Sequence, residues 1–412
     1  MSVKRTIALL KVSSIDYFSL AIFSMGIALL SFLQIYFHEV YHYTVMQSSV
    51  LLGIATAGQF FGSMFSSSVV NLINKILIKL QLPYCSMRFS IFLVSIMLVV
   101  IFIGYSINRN FYAFIVLSYL LGFLLALFSP INMALLTVEI NINDSVIVTF
   151  LRRWILNIGG CIAFGVMGYL VHNPHQLFYS LSAVFFLIAI LEFSRLFRAR
   201  DVHSTIKPSM HHLNMNHASN AIWLWMIAVF LSYVIFFQTI STQPIYLNDY
   251  VGITANHFSR LIIINVVIVI TLQFVTPLLE KYLTISAISA IGTILIGIGL
   301  VFVIVHSYTF VIASVIIWSI GEIFLLGVTP IYAKVFAGNS KEKNLQYSSN
   351  YYAACYLGKI IGPLGGSFLY SHFNWHDSLL GFLFFLSLLT GFCFYYLGKM
   401  MEQTNLVEVY DG

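Results

Sequence analysis

The sequence predicts an all-α membrane protein in which twelve transmembrane helices form two pseudo-symmetric six-helix bundles. Charged residues make up only 8% of the chain against 60% hydrophobic residues, and the few charges lie between long apolar runs. A bilayer core about 30 Å thick requires about 20 mostly apolar residues per spanning helix. A helix also satisfies its own backbone hydrogen bonds where no water is available. A polar segment near the middle of the chain divides the runs into two sets of six.

The apolar runs give the predicted spans in chain order. The first bundle comprises residues 17–37, 45–72, 89–107, 111–138, 147–171 and 177–196. The second comprises residues 222–247, 258–279, 285–305, 310–335, 345–370 and 379–397. We therefore predict an N-terminal bundle over residues 1–200, a cytoplasmic linker over 201–219 and a C-terminal bundle over 220–412. These spans leave no room for a separate soluble catalytic domain.

The basic residues lie mostly on one predicted side of the membrane. Of the 20 Lys and Arg residues, only Arg109, Arg260 and Lys359 fall outside the termini, the linker and the loops of that side. Positive residues gather on the cytoplasmic side of membrane proteins. We therefore predict that both termini are cytoplasmic and that the membrane is a plasma membrane of the bacterial inner-membrane type. The same bias accounts for the net charge of +6 without a nucleic-acid partner.

The central linker contains three histidines, His211, His212 and His217, which raise the hypothesis of a metal site. A solvated linker is the alternative, because no carboxylate or cysteine stands at ligand spacing. Six spans, a linker and six more spans are typical of internally duplicated transporters. In such a protein the two bundles rock about a site at their interface.

Four segments resemble the major facilitator superfamily, most closely its twelve-span drug and metabolite:proton antiporter branch. Those in the second half are GEIFLLGVTPIYAKVFAG from Gly321, YLGKIIGPLGGSFLY up to Tyr370, and FFQTISTQPIYL up to Leu247. The first half contributes RRWILNIGGCIAFGVMGYL from Arg152. The resemblance implies two bundles around a central cavity. The family's motif between spans two and three, an Asp followed by a basic cluster, is missing, however: this region has Ser66, Ser67 and Ser68 and no acidic residue, and Ser118 replaces an arginine associated with proton coupling.

Glu322 and Lys359 are the ionisable residues closest to the middle of the predicted spans. Buried charges in a membrane are costly unless paired or hydrated, so they are functional candidates by default. The resemblance implies that spans ten and eleven lie side by side near the cavity. We therefore expect Glu322 and Lys359 to face each other or the cavity and to couple transport to an ion, with H⁺ the first choice. A buried ion pair that only joins two helices is the alternative.

Uncharged polar residues in the spans are candidates for substrate contact. Amides in spans also hydrogen-bond across helices for about 1 kcal/mol or less, so packing is an equal alternative for each. Tyr356 joins them because it lies close to Lys359 in span eleven. The candidates for the substrate cavity are Gln34, Asn132, Asn157, Gln238, Thr242, Asn265, Gln273 and Tyr356.

Charged residues near the predicted cytoplasmic ends of spans are candidates for gating. Asp16 begins span one, Glu139 ends span four, and Arg152 and Arg153 open span five. The hypothesis is that they form salt bridges between helices that close this side in one state. Ordinary interfacial charge is the alternative. Glycines at four-residue spacing, such as Gly58 and Gly62, predict closely packed helices that either slide or stay fixed.

The sequence as a whole predicts a secondary active transporter that moves a small organic molecule by alternating access. Efflux of a drug-like compound or metabolite is the first hypothesis, and proton-coupled uptake of an amino acid or peptide is the alternative. A non-transporting sensor or an intramembrane enzyme would need an effector domain, or a nucleophile and base at mid-span. The cysteines have no metal-ligand spacing, and the histidines outside the linker map to the outer loops, so we expect neither metal nor cofactor. The expected partners are the substrate, the lipid bilayer and H⁺, and the chain is expected to be a monomer.

Overall fold

The structure is a computed structural model that describes residues 14–43, 45–82, 84–137, 142–170, 173–196, 215–253, 255–338, 340–372 and 376–403. Within these ranges it contains helices, turns and no strand. Glu139 and most of the predicted linker lie outside the described residues, and so do the side chains of Gln34 and His217.

Six long helices make up the first half of the chain. They are α1 (Ser14–Tyr41), α2 (Val45–Lys79), α3 (Ser86–Ile107), α4 (Phe111–Thr137), α5 (Ile142–Leu170) and α6 (Pro174–Leu196).

Six more long helices make up the second half, and several continue into shorter helical segments. They are α7 (Met215–Phe236), α8 (Ala255–Leu272), α9 (Ile285–Phe302), α10 (Tyr308–Val328), α11 (Lys341–His372) and α12 (His376–Gln403). The segments Phe237–Ile240, Thr242–Tyr246 and Leu247–Val251 prolong α7, and Gln273–Val275 and Thr276–Leu279 prolong α8. The segment Ile331–Ala337 continues α10 beyond Thr329 and Pro330.

Over the described residues, nine of these helices, taken together with the segments that prolong them, are long and apolar enough to cross a membrane. The described parts of α1, α5 and α11 do not reach the same length and hydropathy. In α11 the cause is a polar first turn, with Lys341, Glu342 and Lys343, followed by many Tyr, Ser and Gly residues. The prediction of an all-helical fold is therefore confirmed, whereas the number of twelve spans stays a prediction.

The two halves repeat the same packing pattern. In the first half α1 packs on α5, α2 on α4 and α3 on α6, and in the second α7 packs on α11, α8 on α10 and α9 on α12. Each half has its own hydrophobic core of buried residues. Between the halves, α11 packs on α2 and α4, and α5 meets α8 and α10. This repetition is what an internally duplicated chain produces.

Glycine allows α2 and α4 to approach closely. A Cβ added at Gly58 would meet the carbonyl oxygen of Tyr119, and one at Gly62 would meet that of Phe123. Small residues let helix backbones come together in this way. Both contacts lie inside the first half, and so do not form the surface between the two halves.

Candidate functional site

An ion pair joins the two halves of the molecule. Arg153 of α5 donates from Nη2 to Oε1 of Glu322 of α10. The other carboxylate oxygen, Oε2, accepts a 2.9 Å hydrogen bond from Nδ2 of Asn265 on α8. That same Nδ2 lies 3.0 Å from Oγ of Ser319, one turn before Glu322 on α10. Glu322 is 8% exposed.

The local sequence of α10 brings Glu322 to this position. Gly321 lets α10 approach α9, because a Cβ there would lie 2.6 Å from the carbonyl oxygen of Gly292. With α10 held against α9, the next residue, Glu322, faces α5 and α8. Ser319 and Glu322 are three residues apart and therefore share one helix face, which is the face that Asn265 contacts.

A cavity of about 110 Å³ lies beside the ion pair, between α5, α8 and α10. Ligand pockets for drug-sized molecules measure about 300–1,000 Å³, and one water occupies about 30 Å³ of liquid. In this conformation the cavity has room for a few water molecules and not for a drug-sized substrate. It is lined by Leu156, Asn157, Gly160, Cys161, Asn265, Val266, Val269 and Glu322.

Two predicted cavity residues contact each other across the same interface. Nδ2 of Asn157 on α5 donates a 3.2 Å hydrogen bond to Oε1 of Gln273, which lies at the end of α8. Gln273 is fully buried, and its Nε2 has no hydrogen-bond partner among the described residues. The pair extends the polar contact between the halves beyond Arg153 and Glu322.

Lys359 lies on the other side of the interface and does not face Glu322, which was one of the two arrangements expected for it. Its Nζ donates a 3.4 Å hydrogen bond to Oε1 of Gln59 on α2 and lies 5.7 Å from the centre of the Phe237 ring. The physical reason is that α10 packs mainly on α8 and α9, whereas α11 packs mainly on α7 and α2. The two ionisable residues thus bridge the halves at separate places.

Arg152 is almost completely enclosed, with 5% exposure. Its Nη2 lies 3.4 Å from the carbonyl oxygen of Ser129, and its guanidinium stacks 5.4 Å from the centre of the Tyr352 ring. The Nε atom has no hydrogen-bond partner. Tyr352 is followed one turn later on α11 by Tyr356, at a ring separation of 6.4 Å.

Asp16 forms ion pairs between helices, but its partners are not the expected arginines of α5. It accepts hydrogen bonds from Arg195 of α6 at 2.7 Å and from Arg88 of α3 at 3.1 Å. Glu192 lies beside both arginines, 3.2 Å from Arg195. This network fastens α1, α3 and α6 inside the first half. Whether Asp16 takes part in gating stays a prediction.

The remaining candidates are held in packing contacts. Gln238, 1% exposed, donates from Nε2 to the carbonyl oxygen of Gly362 at 2.6 Å and accepts a 2.6 Å hydrogen bond from Thr242. Both therefore join α11 to the α7 rod within the second half. The amide of Asn132 lies 3.5 Å from the carbonyl oxygen of Asp16 in the first half.

One face of the molecule is closed by contacts between the two halves. We call it the terminal face; α1, α3 and α11 begin there, and α4 and α6 end there. Nδ2 of Asn344 on α11 donates a 2.9 Å hydrogen bond to Oγ1 of Thr137 on α4. The hydroxyls of Ser66 on α2 and Ser349 on α11 lie 2.5 Å apart. Leu345 belongs to the hydrophobic core of the first half.

Sequence reasoning missed the residues that close the terminal face. Asn344, Leu345 and Ser349 lie where α11 begins, and nothing in their sequence separates them from ordinary interfacial residues. It also missed Gln59, the partner of Lys359, although an amide within span two was a visible signal.

Solved structures share this architecture at low sequence identity. The human organic anion transporter MFSD10 (TETRAN) matches 96% of this chain and 100% of its own, with a TM-score of 0.67 at 12% identity. A POT family transporter in complex with a thioalcohol-conjugated peptide matches 95% of this chain and 96% of its own, with a TM-score of 0.69 at 13% identity.

The MFS proton:xylose symporter XylE bound to 6-bromo-6-deoxy-D-glucose matches 96% of this chain and 95% of its own, with a TM-score of 0.66 at 12% identity. No protein-family model and no curated protein sequence matches the chain. The chain thus has the major facilitator fold, as the sequence resemblance implies. Together with the nine long apolar helices found among the described residues, this fold makes it a multi-pass membrane protein.

Proposed function

We propose that this protein is a secondary active transporter that moves a small organic molecule by alternating access between its two halves. The observation that carries the proposal is the Arg153–Glu322 ion pair, a largely buried charged contact between the halves beside a small cavity that Asn157, Asn265 and Glu322 line together with apolar residues. Charges within a membrane protein mark substrate or ion pathways more often than packing sites. The three solved structures with the same fold are all transporters, which supports the same reading.

Alternating access requires that contacts between the halves break and re-form. The contacts on the terminal face are hydrogen bonds and one apolar insertion: Asn344–Thr137, Ser66–Ser349 and Leu345. Contacts of this kind are individually weak, at about 0.5–1.5 kcal/mol net for a neutral hydrogen bond. The closed terminal face can therefore open without unfolding either bundle.

Glu322 is the proposed proton carrier. Its carboxylate holds Arg153 across the interface, so protonation removes the charge that binds the two halves at this point. A two-state equilibrium shifts only when a ligand binds the two states with different affinity. A proton on Glu322 meets that requirement, because it weakens a contact that exists only when the halves are close. Lys359 has no carboxylate partner among the described residues, and ion coupling through it is a weaker proposal.

The direction of transport has two candidates. The resemblance to the antiporter branch favours efflux of a drug-like compound or metabolite, driven by a proton moving the other way. The alternative is proton-coupled uptake, and a separate observation on the charges of the interface, argued below, favours it. For either direction we expect the plasma membrane, with cytoplasmic termini on the terminal face.

A distance measurement between spin labels tests alternating access without knowledge of the substrate. Labels at Lys75→Cys on α2 and Lys343→Cys on α11, both exposed, report the opening of the terminal face in a background without the native cysteines. We expect a second, longer distance to become populated when the pH is lowered or Glu322→Gln is introduced. Labels at Lys281 and Lys343, both in the second half, are the matched control and should keep one distance. A single unchanged distance for the first pair under all conditions would refute the proposal.

A further inference from the structure

The interface between the halves carries more positive than negative charge. Among the described residues, Arg152, Arg153 and Lys359 contact the opposite half, and so does the carboxylate of Glu322. Arg153 forms an ion pair with that carboxylate. No carboxylate of the described residues lies within ion-pairing distance of Arg152 or Lys359.

Arg152 is the most poorly satisfied of these cations. It is 95% buried, its neighbours are the backbone carbonyl of Ser129 at the end of a long hydrogen bond and the uncharged Tyr352, and its Nε has no partner. A buried charge without a paired counter-charge is strongly unfavourable, and such a group normally recruits one. An arginine fork matches a carboxylate, sulfonate or phosphate in two parallel hydrogen bonds.

An aromatic surface connects the cations along α11. Tyr352, Tyr356 and Lys359 follow one another at spacings of four and three residues, so they share one face of the helix. Arg152 stacks on Tyr352 at one end of this face, and Lys359 lies against Phe237 at the other. Seven residues of helix separate the two ends by about 10 Å. This is the length of a small aromatic or amphiphilic molecule.

We propose that the substrate is an organic anion with a flat or elongated apolar body, whose anionic group is bound by Arg152 and Arg153. Its body lies along Tyr352 and Tyr356 toward Lys359. The inference rests on the proposed transport function and names the substrate class for it. The cavity beside Glu322 is not lined by these residues, so the space between α5 and α11 must open to admit such a molecule, and alternating access provides that opening.

The same geometry sets the relation between substrate and proton. The groups around Glu322 come from three helices. Arg153 of α5 is the charged residue that faces it, and α8 contributes the uncharged Asn265. The third helix, α9, has no ionisable residue between Ile285 and Phe302. An anion and the Glu322 carboxylate compete for Arg153. Protonation of Glu322 frees Arg153 for the anion, so the coupling between proton and anion through Arg153 is favourable. Proton and anion then move together, which is symport, whereas a cationic substrate would compete with the proton and give antiport.

Binding and transport of naphthalene-1-sulfonate test the inference, with 1-naphthylmethylammonium as the cation of matched size. The sulfonate stays ionised at both pH 5.5 and pH 7.5, so any pH dependence reports on the protein. Purified full-length protein should be stabilised against heat by the sulfonate and not by the cation. Proteoliposomes should accumulate the sulfonate under an inwardly directed proton gradient.

Variants test whether sulfonate binding depends on the proposed site. Arg152→Gln should weaken sulfonate binding about tenfold or more, since a hydrogen bond to a charged group is lost, while Arg152→Lys should weaken it less. Arg260→Gln removes an exposed positive charge elsewhere and should leave binding unchanged. Glu322→Gln, which lacks the competing carboxylate, should bind the sulfonate more tightly than the wild type and without dependence on pH. Thermal unfolding without ligand establishes that each variant is folded.

Three outcomes would overturn the inference. The first is accumulation of the cation in place of the sulfonate, which would leave the transport proposal standing. The second is sulfonate binding that Arg152→Gln does not change. The third is absence of binding to either probe, and the spin-label distances then decide separately whether the protein still alternates between two states.

Discussion

At the scale of single residues, Glu322 shows what position along a span can and cannot predict. Its depth in a predicted helix marked it as a functional candidate, and the structure places it at the interface between the halves. Its partner, Arg153, is 169 residues away in the chain. Depth is a local property of the sequence, whereas a partner at that separation depends on how the two bundles meet.

Replacement of Glu322 by Gln keeps the shape of the side chain and removes its charge. Arg153 then loses its ion pair, and we expect the variant to be less stable by about 1–3 kcal/mol. This is below the 3–5 kcal/mol typical of fully buried pairs, because the side chains of Arg153 and Glu322 are 17% and 11% exposed. We also expect transport to lose its dependence on pH and on an imposed proton gradient. Uptake rates in proteoliposomes measure this, with Glu342→Gln on the exposed start of α11 as the control. An unchanged pH profile would remove Glu322 from the coupling mechanism.

Glu280 follows the last turn of the α8 rod, outside the spans, and burial raises its pKa to about 7. Its ordinary value is 4.5, so between about pH 4.5 and pH 7 the folded protein holds a proton that the unfolded chain has released. The folded state therefore loses stability as the pH rises through this window.

The variant Glu280→Gln should remove that loss. We expect it to melt at a higher temperature than the wild type at pH 8. The difference should shrink toward pH 4.5, where residue 280 is neutral in the folded wild type as it is in the variant. Thermal unfolding of detergent-purified protein across this pH range measures the effect. Glu342→Gln, at an exposed site, should show no such trend. A difference that grows toward low pH would contradict the assignment.

At the scale of elements, the junction between α11 and α7 with its continuation shows how two polar candidates are held in packing contacts, while their part in substrate binding stays a prediction. Gln238 and Thr242 fill the space beside Gly366, where a Cβ would meet both of their side-chain oxygens. The hydrogen bond from Gln238 to the carbonyl oxygen of Gly362 fixes the two helices in register. The sequence correctly marks polar residues in these spans, but an amide that contacts substrate and one that contacts a helix backbone look the same in sequence.

Neighbouring glycines in α11 provide a matched test of this junction. Gly366→Ala should destabilise the protein by about 1–3 kcal/mol, because the added methyl group displaces Gln238 from its hydrogen bonds with Gly362 and Thr242. Gly365→Ala is the control, since nothing lies within 4 Å of a Cβ at that position. Thermal and denaturant unfolding of the two variants measures the difference. Equal stabilities would show that the junction adapts to the extra volume.

At the scale of the whole molecule, the interface between the two halves has two parts, one along α2 and α11 and one beside α5 and α8. Along the α2–α11 side the contacts reach the terminal face, where Ser66 and Ser349 meet. Beside α5 and α8 a cavity separates the helices next to Glu322. A closed face on one side and a polar cavity within are the arrangement expected of one state of an alternating-access cycle.

A disulfide across the terminal face should lock this state. Because the hydroxyls of Ser66 and Ser349 lie 2.5 Å apart, cysteines at both positions should cross-link on oxidation in a background without the native cysteines. We expect transport to stop on oxidation and to return on reduction. Each single cysteine variant should transport normally under both conditions. Full activity of the cross-linked protein would mean that this face does not open during transport.

The sequence by itself determined that this chain is helical, spans a membrane several times and is duplicated, because apolar length and backbone hydrogen bonding in lipid leave few other folds. It also marked the few charged residues that lie deep in the helices. Only the tertiary structure decided that Glu322 meets Arg153, that Lys359 meets Gln59, and that Asp16 is held within one half. Side-chain partners on different helices depend on how the helices rotate and pack against one another. That arrangement is set by many small contacts together and is not written in any single stretch of sequence.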